Sequence, residues 1–194
     1  MKDSYKTALF LFPAVLIYAW FCYQLNYTQD DAYISYRYVA NFLNGDGLVY
    51  NVGERIEGFT NFGWVMYLLL WGAMGLPYII ISKLTGIVFG AATIVLTYRL
   101  AHQLFTPESP NSHFFAMIAA YLVAANQSLA YWSVSGLETS TFGFFALLSL
   151  HLYLRRSWLL IGSLLASVML RPEGALVAGM LVLLGWIDGR EAAI

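Results

Sequence analysis

Residues 78–101 have the sequence YIIISKLTGIVFGAATIVLTYRLA, in which Lys83 and Arg99 are the only charged side chains. A helix of this length is long enough to cross the ~30 Å hydrocarbon core of a bilayer. The whole chain has the same character: 60% of its residues are hydrophobic, 11% are charged and the mean hydropathy is +0.65. Since a soluble domain is usually about 25% charged, the sequence predicts an all-α polytopic membrane protein.

The other apolar stretches set the topology. Phe62–Leu76 is short for a span, and we expect it to be a juxtamembrane helix that does not cross. The first outer loop then comprises residues 26–77, and the basic loop residues Arg99, Arg155, Arg156 and Arg190 lie in the cytoplasm with Lys2 and Lys6. About six spans are expected, at Thr7–Leu25, Tyr78–Ala101, Phe114–Trp132, Thr139–Leu154, Trp158–Leu170 and Ala175–Trp186. The alternative for the last two is one kinked helix over residues 157–187.

Several function classes are excluded by composition and by missing motifs. The net charge is −1 and the basic residues are scattered, so nucleic acid is not an expected partner. The single cysteine, Cys22, cannot form a disulfide framework or a CxxC site. No P-loop, G-x-S-x-G or H-E-x-x-H motif occurs. His102, His113 and His151 are expected on the cytoplasmic side, away from the acidic residues.

Charged residues that are distant in the sequence gather at the outer face in this topology. Charges near membrane depth usually line a polar cavity, so we expect a shared pocket there. The residues on that face are Asp30, Asp31, Arg37, Glu54, Arg55, Glu57, Lys83, Glu138, Arg171 and Glu173.

Asp30 and Asp31 precede a helical pattern over residues 32–43. Acidic residues at this position cap a helix and interact favourably with its dipole. The alternative is chemical, because Arg37 lies on the same helical stripe and a carboxylate near an arginine is a competent base. Spacing alone favours capping over catalysis.

The remaining charged residues also have ordinary structural interpretations. Glu54 and Glu57 belong to a solvated loop or form a salt bridge with Arg55 or Arg37, and Glu138 suits the first turn of a helix. Lys83 either extends to the lipid head groups or binds a phosphate, which requires the same place and charge. Arg171 and Glu173 either pair with each other at a hairpin tip or take part in the pocket.

Five ordered motifs together carry a family resemblance. They are Asp30–Tyr38, Gly45–Asn51, Gly53–Asn61, Gly136–Thr139 and Arg171–Gly174. In this order they resemble the N-terminal half of GT-C membrane glycosyltransferases, closest to the terminal arabinofuranosyltransferase-like branch. The resemblance implies transfer of a sugar from a polyprenyl-phosphate donor to a cell-envelope glycan or lipid acceptor. It also implies a bacterial inner membrane location with the active site facing outward.

The resemblance assigns roles to individual residues. Asp30 would be the catalytic base, and Asp31 would support it. A divalent metal, if the branch uses one, would be held by Asp31 and Glu138; no other cofactor is implied. The phosphate leaving group needs cationic stabilisation. The candidates for binding substrate or phosphate are Arg37, Glu57, Lys83, Glu138 and Arg171.

The chain departs from the family in length. Family members are much longer, so residues 1–194 resemble the N-terminal transmembrane module, and a missing C-terminal domain or a partner subunit is expected to complete it. Two alternatives remain. One is a non-catalytic membrane scaffold or accessory subunit with the same fold. The other is a small transporter, which fits less well because its charges would be distributed through the membrane.

Overall fold

A computed structural model describes residues 2–105, 111–187 and 189 of the protein, with side chains from residue 7 onward. The regular structure in these ranges is helical. Those ranges contain no strand, and the predicted all-α class is confirmed for them. Arg190 and the side chains of Lys2 and Lys6 lie outside the described residues. The helices are α1 (Lys2–Gln24), α2 (Ala32–Leu43), α3 (Phe62–Ala73), α4 (Tyr78–Leu104), α5 (Ser112–Ala124), α6 (Gln127–Val134), α7 (Thr139–Leu154), α8 (Leu159–Leu170) and α9 (Gly174–Ile187).

Among the described residues, two helices are long and apolar enough to cross a membrane, α1 over Thr7–Gln24 and α4 over Tyr78–Leu104. Helices α5 and α6 make a third candidate if together they form one broken span. The other apolar helices, α3, α7, α8 and α9, have 12, 16, 12 and 14 residues. These long apolar helices indicate a membrane protein, while the count of about six spans stays a prediction.

The segment predicted as a single span at Phe114–Trp132 is divided into two helices. Helix α5 ends at Ala124 and α6 begins at Gln127, and the two helices are bent by 52°. Asn126 explains the break, because its side chain accepts a hydrogen bond of 2.9 Å from the backbone N–H of Ser128 and so caps a new helix. The expectation of one helix over this segment is corrected accordingly.

Helices α1, α4 and α6 pack closely because α4 presents glycines at the contact. A Cβ on Gly86 would lie 2.2 Å from the carbonyl oxygen of Ser133, and one on Gly90 would meet the hydroxyls of Tyr18 and Ser133. Tyr18 Oη donates a hydrogen bond of 3.1 Å to the carbonyl of Ile87. The close approach of these helices therefore depends on the missing side chains of α4.

The segments that precede α2 and α7 meet at one end of the bundle. The backbone N–H of Gln29 donates to the carbonyl of Ser135 at 2.9 Å. Trp64 Nε1 and Tyr36 Oη both donate to the carbonyl of Gly136, at 3.2 and 3.4 Å. Gly136 has a φ of +88°, in the left-handed region that favours glycine. These contacts bring the starts of α2, α3 and α7 together.

Helix α3 lies at this same end. Tyr36 Oη is 2.6 Å from Ser82 Oγ, which places the start of α4 there too. Tyr67 of α3 is bonded to Thr85 of α4 at 2.7 Å, and Gly72 packs against the first residue of α4, Tyr78. Both ends of α3 therefore contact the same end of the bundle, which favours a helix that does not cross the membrane. Its depth in a membrane stays a prediction.

Helices α8 and α9 pack side by side. Leu160 of α8 and Leu181 of α9 belong to one buried cluster with Tyr153 of α7. A single helix would hold Leu160 and Leu181 about 30 Å apart, so the alternative of one kinked helix over residues 157–187 is wrong. The break falls at Arg171, whose backbone is extended (φ −150°, ψ 140°). Pro172 explains this, because the residue before a proline is disfavoured in the helical region.

Candidate active site

A polar cleft of about 490 Å³ lies where the starts of α2, α3 and α7 meet the end of α8. It brings together three of the predicted site residues, Asp31, Glu138 and Arg171. Its lining comprises Asp31, Ile34, Ser35, Gly58, Phe59, Thr60, Asn61, Trp132, Leu137, Glu138, Thr139 and Arg171. Residues from five separate segments thus form one site.

Glu138 is the buried acid of the polar cleft, with 6% of its surface exposed. It occupies the N-cap position of α7 but makes no capping hydrogen bond through its side chain. Instead, Asn61 Nδ2 donates to Glu138 Oε2 at 2.8 Å and to Ser35 Oγ at 3.2 Å. A buried carboxylate is costly unless it is hydrogen-bonded or paired, and Asn61 supplies that donor.

Arg171 is the cation of the polar cleft and is partly exposed. Its Nη1 lies 3.9 Å from Glu138 Oε1, and its Nη2 and Nε reach the two carboxylate oxygens of Glu173 at 3.0 and 3.4 Å. The hydrogen bond from the backbone N–H of Glu173 and those from Arg171 lower the pKa of the Glu173 carboxyl. The predicted pairing at the hairpin tip is confirmed, and Arg171 also reaches Glu138.

Asp30 and Asp31 precede α2, and both are exposed. Asp31 takes the N-cap position of α2, but its side chain makes no capping hydrogen bond. The predicted capping by this side chain is therefore wrong. Within the described part of the chain, neither carboxylate has a hydrogen bond or an ion pair. Both carboxylates are therefore available to a ligand, and Asp31 lines the cleft.

Arg37 and Lys83 are held elsewhere by neighbouring groups. Arg37 Nε donates to the carbonyl of Tyr50 at 2.7 Å, and its guanidinium carbon lies 4.8 Å from the centre of the Tyr50 ring. Lys83 Nζ donates to Asn26 Oδ1 at 3.3 Å. Neither residue lines the polar cleft, so their phosphate-binding roles stay predictions.

Glu57 lines a second cleft of about 530 Å³, which we call the loop cleft. It is formed by the segment between α2 and α3 and by the first residue of α3. Its lining comprises Asp46, Gly47, Leu48, Val49, Arg55, Ile56, Glu57, Phe59 and Phe62. Phe59 lines both the loop cleft and the polar cleft, so the two clefts are neighbours.

A third cleft, of about 310 Å³, is apolar and lies between α3, α4, α7 and α8. Three segments contribute to both clefts: residues 61, 139 and 171 line the polar cleft, and residues 63, 141 and 170 line the apolar one. Its lining comprises Gly63, Trp64, Tyr67, Thr85, Phe89, Thr141, Phe145, Ala166, Met169 and Leu170. The apolar cleft is thus lined by neighbours, along the chain, of residues that line the polar cleft.

The donor set makes a poor metal site. No group of three or more His, Cys, Asp or Glu side chains that could hold a metal ion occurs among residues 7–105, 111–187 and 189. Asp31 and Glu138 share the polar cleft, but Glu138 is already engaged by Asn61 and Arg171. His102 and His113 contact each other at 3.3 Å near the other end of α4 and line none of the three clefts.

The polar cleft contains two residues that sequence reasoning missed, Asn61 and Ser35. Asn61 is the last residue of the motif Gly53–Asn61 and stands immediately before an apolar helix. A polar residue at such a boundary was the available signal. Ser35 offers no comparable signal, since nothing in its local sequence distinguishes it from an ordinary helix residue.

Comparison with known proteins gives one curated relative. The chain is 27% identical over 193 residues to a terminal β-(1→2)-arabinofuranosyltransferase of Mycobacterium tuberculosis. The aligned region covers 90% of this chain and 30% of that protein, so the chain spans less than a third of its relative's length. No protein-family model matches the chain. No solved structure matches it. The similarity indicates a relationship to glycosyltransferases and, at that coarse level, suggests an enzyme of the transferase class.

Proposed function

We propose that the chain is the N-terminal transmembrane module of a GT-C glycosyltransferase. It transfers a sugar, for which arabinofuranose is our candidate, from a polyprenyl-phosphate donor to a cell-envelope glycan or lipid acceptor. The site faces outward from a bacterial inner membrane, and the rest of the relative's length or a partner subunit completes it. The similarity to an arabinofuranosyltransferase and the long apolar helices support this assignment.

The observation that carries the proposal is that the polar cleft and the apolar cleft are lined by residues close together in three segments of the chain. A lipid-linked sugar has a charged, hydroxyl-rich head and a hydrocarbon chain. The apolar cleft offers aromatic and aliphatic walls from Trp64, Phe89 and Phe145, and the polar cleft beside it offers Asp31 and Arg171. Pockets that bind such ligands combine apolar walls with a few placed polar groups.

The chemistry requires a base and a cation. A carboxylate of the Asp30–Asp31 pair removes the proton of the acceptor hydroxyl, whose oxygen attacks the anomeric carbon of the donor sugar. The bond from that carbon to the phosphate oxygen breaks, and the polyprenyl phosphate leaves. Arg171 supports the developing negative charge, because its Nη1 makes only the 3.9 Å contact with Glu138 while its other nitrogens hold Glu173. We assign the base to Asp30, as the family resemblance implies, and a supporting role to Asp31, which lines the polar cleft where Asp30 does not.

The test is transfer by the chain in lipid nanodiscs, with a short-chain prenyl-phosphoryl arabinofuranose as donor and an octyl arabinofuranoside as acceptor. Asp30→Asn should lower the turnover rate by at least about 100-fold, the size of a typical general-base contribution. The matched control is Glu54→Gln, because Glu54 is bonded to Asn51 and lines neither the polar nor the apolar cleft. Unchanged turnover in Asp30→Asn would remove Asp30 from the mechanism.

The same assay distinguishes the accessory-subunit alternative. A wild-type chain that binds the prenyl phosphate but produces no transferred sugar is a lipid-binding scaffold. The interpretation as a module then requires that transfer be restored when the remainder of the enzyme is added as a second chain.

A further inference from the structure

Phe59 lines both the polar cleft and the loop cleft, and its neighbours hold it in place. Phe59 is buried, and its ring centre lies 4.6 Å from that of Tyr38 in an edge-on contact. Tyr38 Oη donates to the carbonyl of Ile56 at 2.9 Å and accepts from the N–H of Gly58 at 2.8 Å. The segment that carries Glu57 is therefore bonded on both sides of that residue to α2.

The loop cleft has polar groups that the protein itself does not use. Asp46, Arg55 and Glu57 line it, and none of their side chains has a hydrogen bond or an ion pair with a residue in the described ranges. Nearby polar side chains do have partners: Asn51 donates a hydrogen bond of 3.1 Å to Glu54, and Arg37 donates one to the carbonyl of Tyr50. Two acceptor carboxylates and one donor guanidinium thus remain for a ligand.

The chemistry of these groups suits a neutral, hydroxyl-rich ligand. Carboxylates accept hydrogen bonds from hydroxyls, and the guanidinium of Arg55 donates to hydroxyl or ring oxygens. The three formal charges sum to −1, which disfavours a phosphate. Phe62, with 44% of its surface exposed, adds an aromatic surface to the lining. A cleft that combines carboxylates, a guanidinium and an aromatic ring is better suited to binding a sugar than to binding a lipid anion.

The neighbouring clefts differ in which of the two substrates they suit. Residues of the polar cleft stand next to residues of the apolar cleft in three segments, whereas those of the loop cleft do so only where Phe62 precedes Gly63. The polar cleft is therefore the better place for a ligand with a hydrocarbon chain. We propose that the loop cleft binds the carbohydrate acceptor, whose reacting hydroxyl lies at Phe59, the residue that lines both clefts, and so faces the donor sugar. This assignment rests on the proposed function.

The experiment measures binding of an octyl arabinofuranoside to the full chain in nanodiscs, alongside acceptor and donor KM values. Arg55→Gln and Glu57→Gln should each weaken the glycoside Kd and raise the acceptor KM by about tenfold, with the donor KM unchanged. The matched control Glu54→Gln should alter neither. All three positions are exposed, so thermal unfolding in the variants should match the wild type.

The outcomes separate this inference from the proposed function. Normal transfer with an unchanged acceptor KM in Arg55→Gln and Glu57→Gln would overturn the loop cleft alone. Failure of the wild-type chain to bind the glycoside would overturn it as well. If the wild type transfers no sugar even when the rest of the enzyme is added as a second chain, but glycoside binding is lost in Arg55→Gln and Glu57→Gln, the binding cleft stands and the transferase proposal fails.

Discussion

Asn61 Nδ2 donates a hydrogen bond of 2.8 Å to Glu138 Oε2 and so joins two residues 77 positions apart at the polar cleft. Both side chains are buried. The bond ties the start of α3 to the start of α7, and Asn61 also reaches Ser35 of α2. The position of the acidic group in the cleft therefore depends on a neutral amide from another segment.

Replacing Asn61 by leucine should destabilise the protein. The variant leaves the buried carboxylate of Glu138 without its amide donor, and an unsatisfied buried polar group costs about 1–3 kcal/mol. Thermal unfolding followed by tryptophan fluorescence in detergent measures the effect. Thr60→Ala is the matched control, since Thr60 is the exposed neighbour in the same cleft. Equal stability of Asn61→Leu and the wild type would contradict the role of this bond.

Asn61→Asp tests the same contact through its pH dependence. The aspartate has almost the shape of asparagine but replaces the donor by a second carboxylate facing Glu138. Two carboxylates at this distance cannot both be ionised without a large penalty. The stability lost at pH 7 should be regained in part as the pH falls, because a shared proton restores a hydrogen bond. A loss that is independent of pH would show that the two groups do not face each other.

Gly86→Ala should lower the stability of the bundle by about 1–3 kcal/mol, the usual effect of overpacking. The new Cβ would lie 2.2 Å from the backbone carbonyl oxygen of Ser133, which cannot move without shifting α6. Gly143→Ala is the matched control in another helix, because nothing lies within 4 Å of its added Cβ. That change should be neutral or stabilising by up to about 1 kcal/mol. Similar unfolding of the two variants would contradict the close packing of α4 on α6.

The ion pair between Glu173 and Arg171 should contribute to stability only above acidic pH. The pKa of the Glu173 carboxyl is lowered from its ordinary value of 4.5 in the folded protein. A group with a lowered folded-state pKa stabilises above its unfolded pKa, and this contribution is lost as the pH falls through the folded pKa. Glu173→Gln should therefore unfold slightly more easily than the wild type at pH 7, by less than about 1 kcal/mol for an exposed pair. The difference should begin to shrink below pH 4.5 and vanish once the pH is below the lowered pKa of the folded protein. A difference that grows on acidification would contradict the pairing.

The helices were predictable because their sequences are locally consistent. Thr139–Leu154 begins and ends where the apolar pattern does, and the break at Arg171 follows from Pro172. Asn126 was overlooked because a capping residue inside an apolar run has a weaker signal than a proline. The side chain of Asn126 nevertheless ends one helix and begins another.

The candidate site was predictable only in part, because long-range contacts decide it. Asp31, Glu138 and Arg171 were grouped by placing charged residues on one face of a membrane, and the structure puts them in one cleft. Arg37 was grouped with them by helical spacing, but its guanidinium stacks on Tyr50. Asn61 was missed because its partner, Glu138, lies in a different segment. No local pattern encodes such a pairing.

In our proposal the polar cleft opens away from the cytoplasm and holds a lipid-linked sugar. Thr60→Cys in a Cys22→Ser background places a single thiol at the exposed edge of this cleft. Arg155→Cys in the same background places one after α7, on the side predicted to be cytoplasmic. The measurement is labelling of both variants by a membrane-impermeant maleimide in intact cells, with and without a short-chain prenyl-phosphoryl arabinofuranose. We predict that Thr60→Cys is labelled from outside and is protected by the donor, while Arg155→Cys is labelled only after permeabilisation. Labelling of Thr60→Cys only from inside, or equal labelling with and without the donor, would contradict the account.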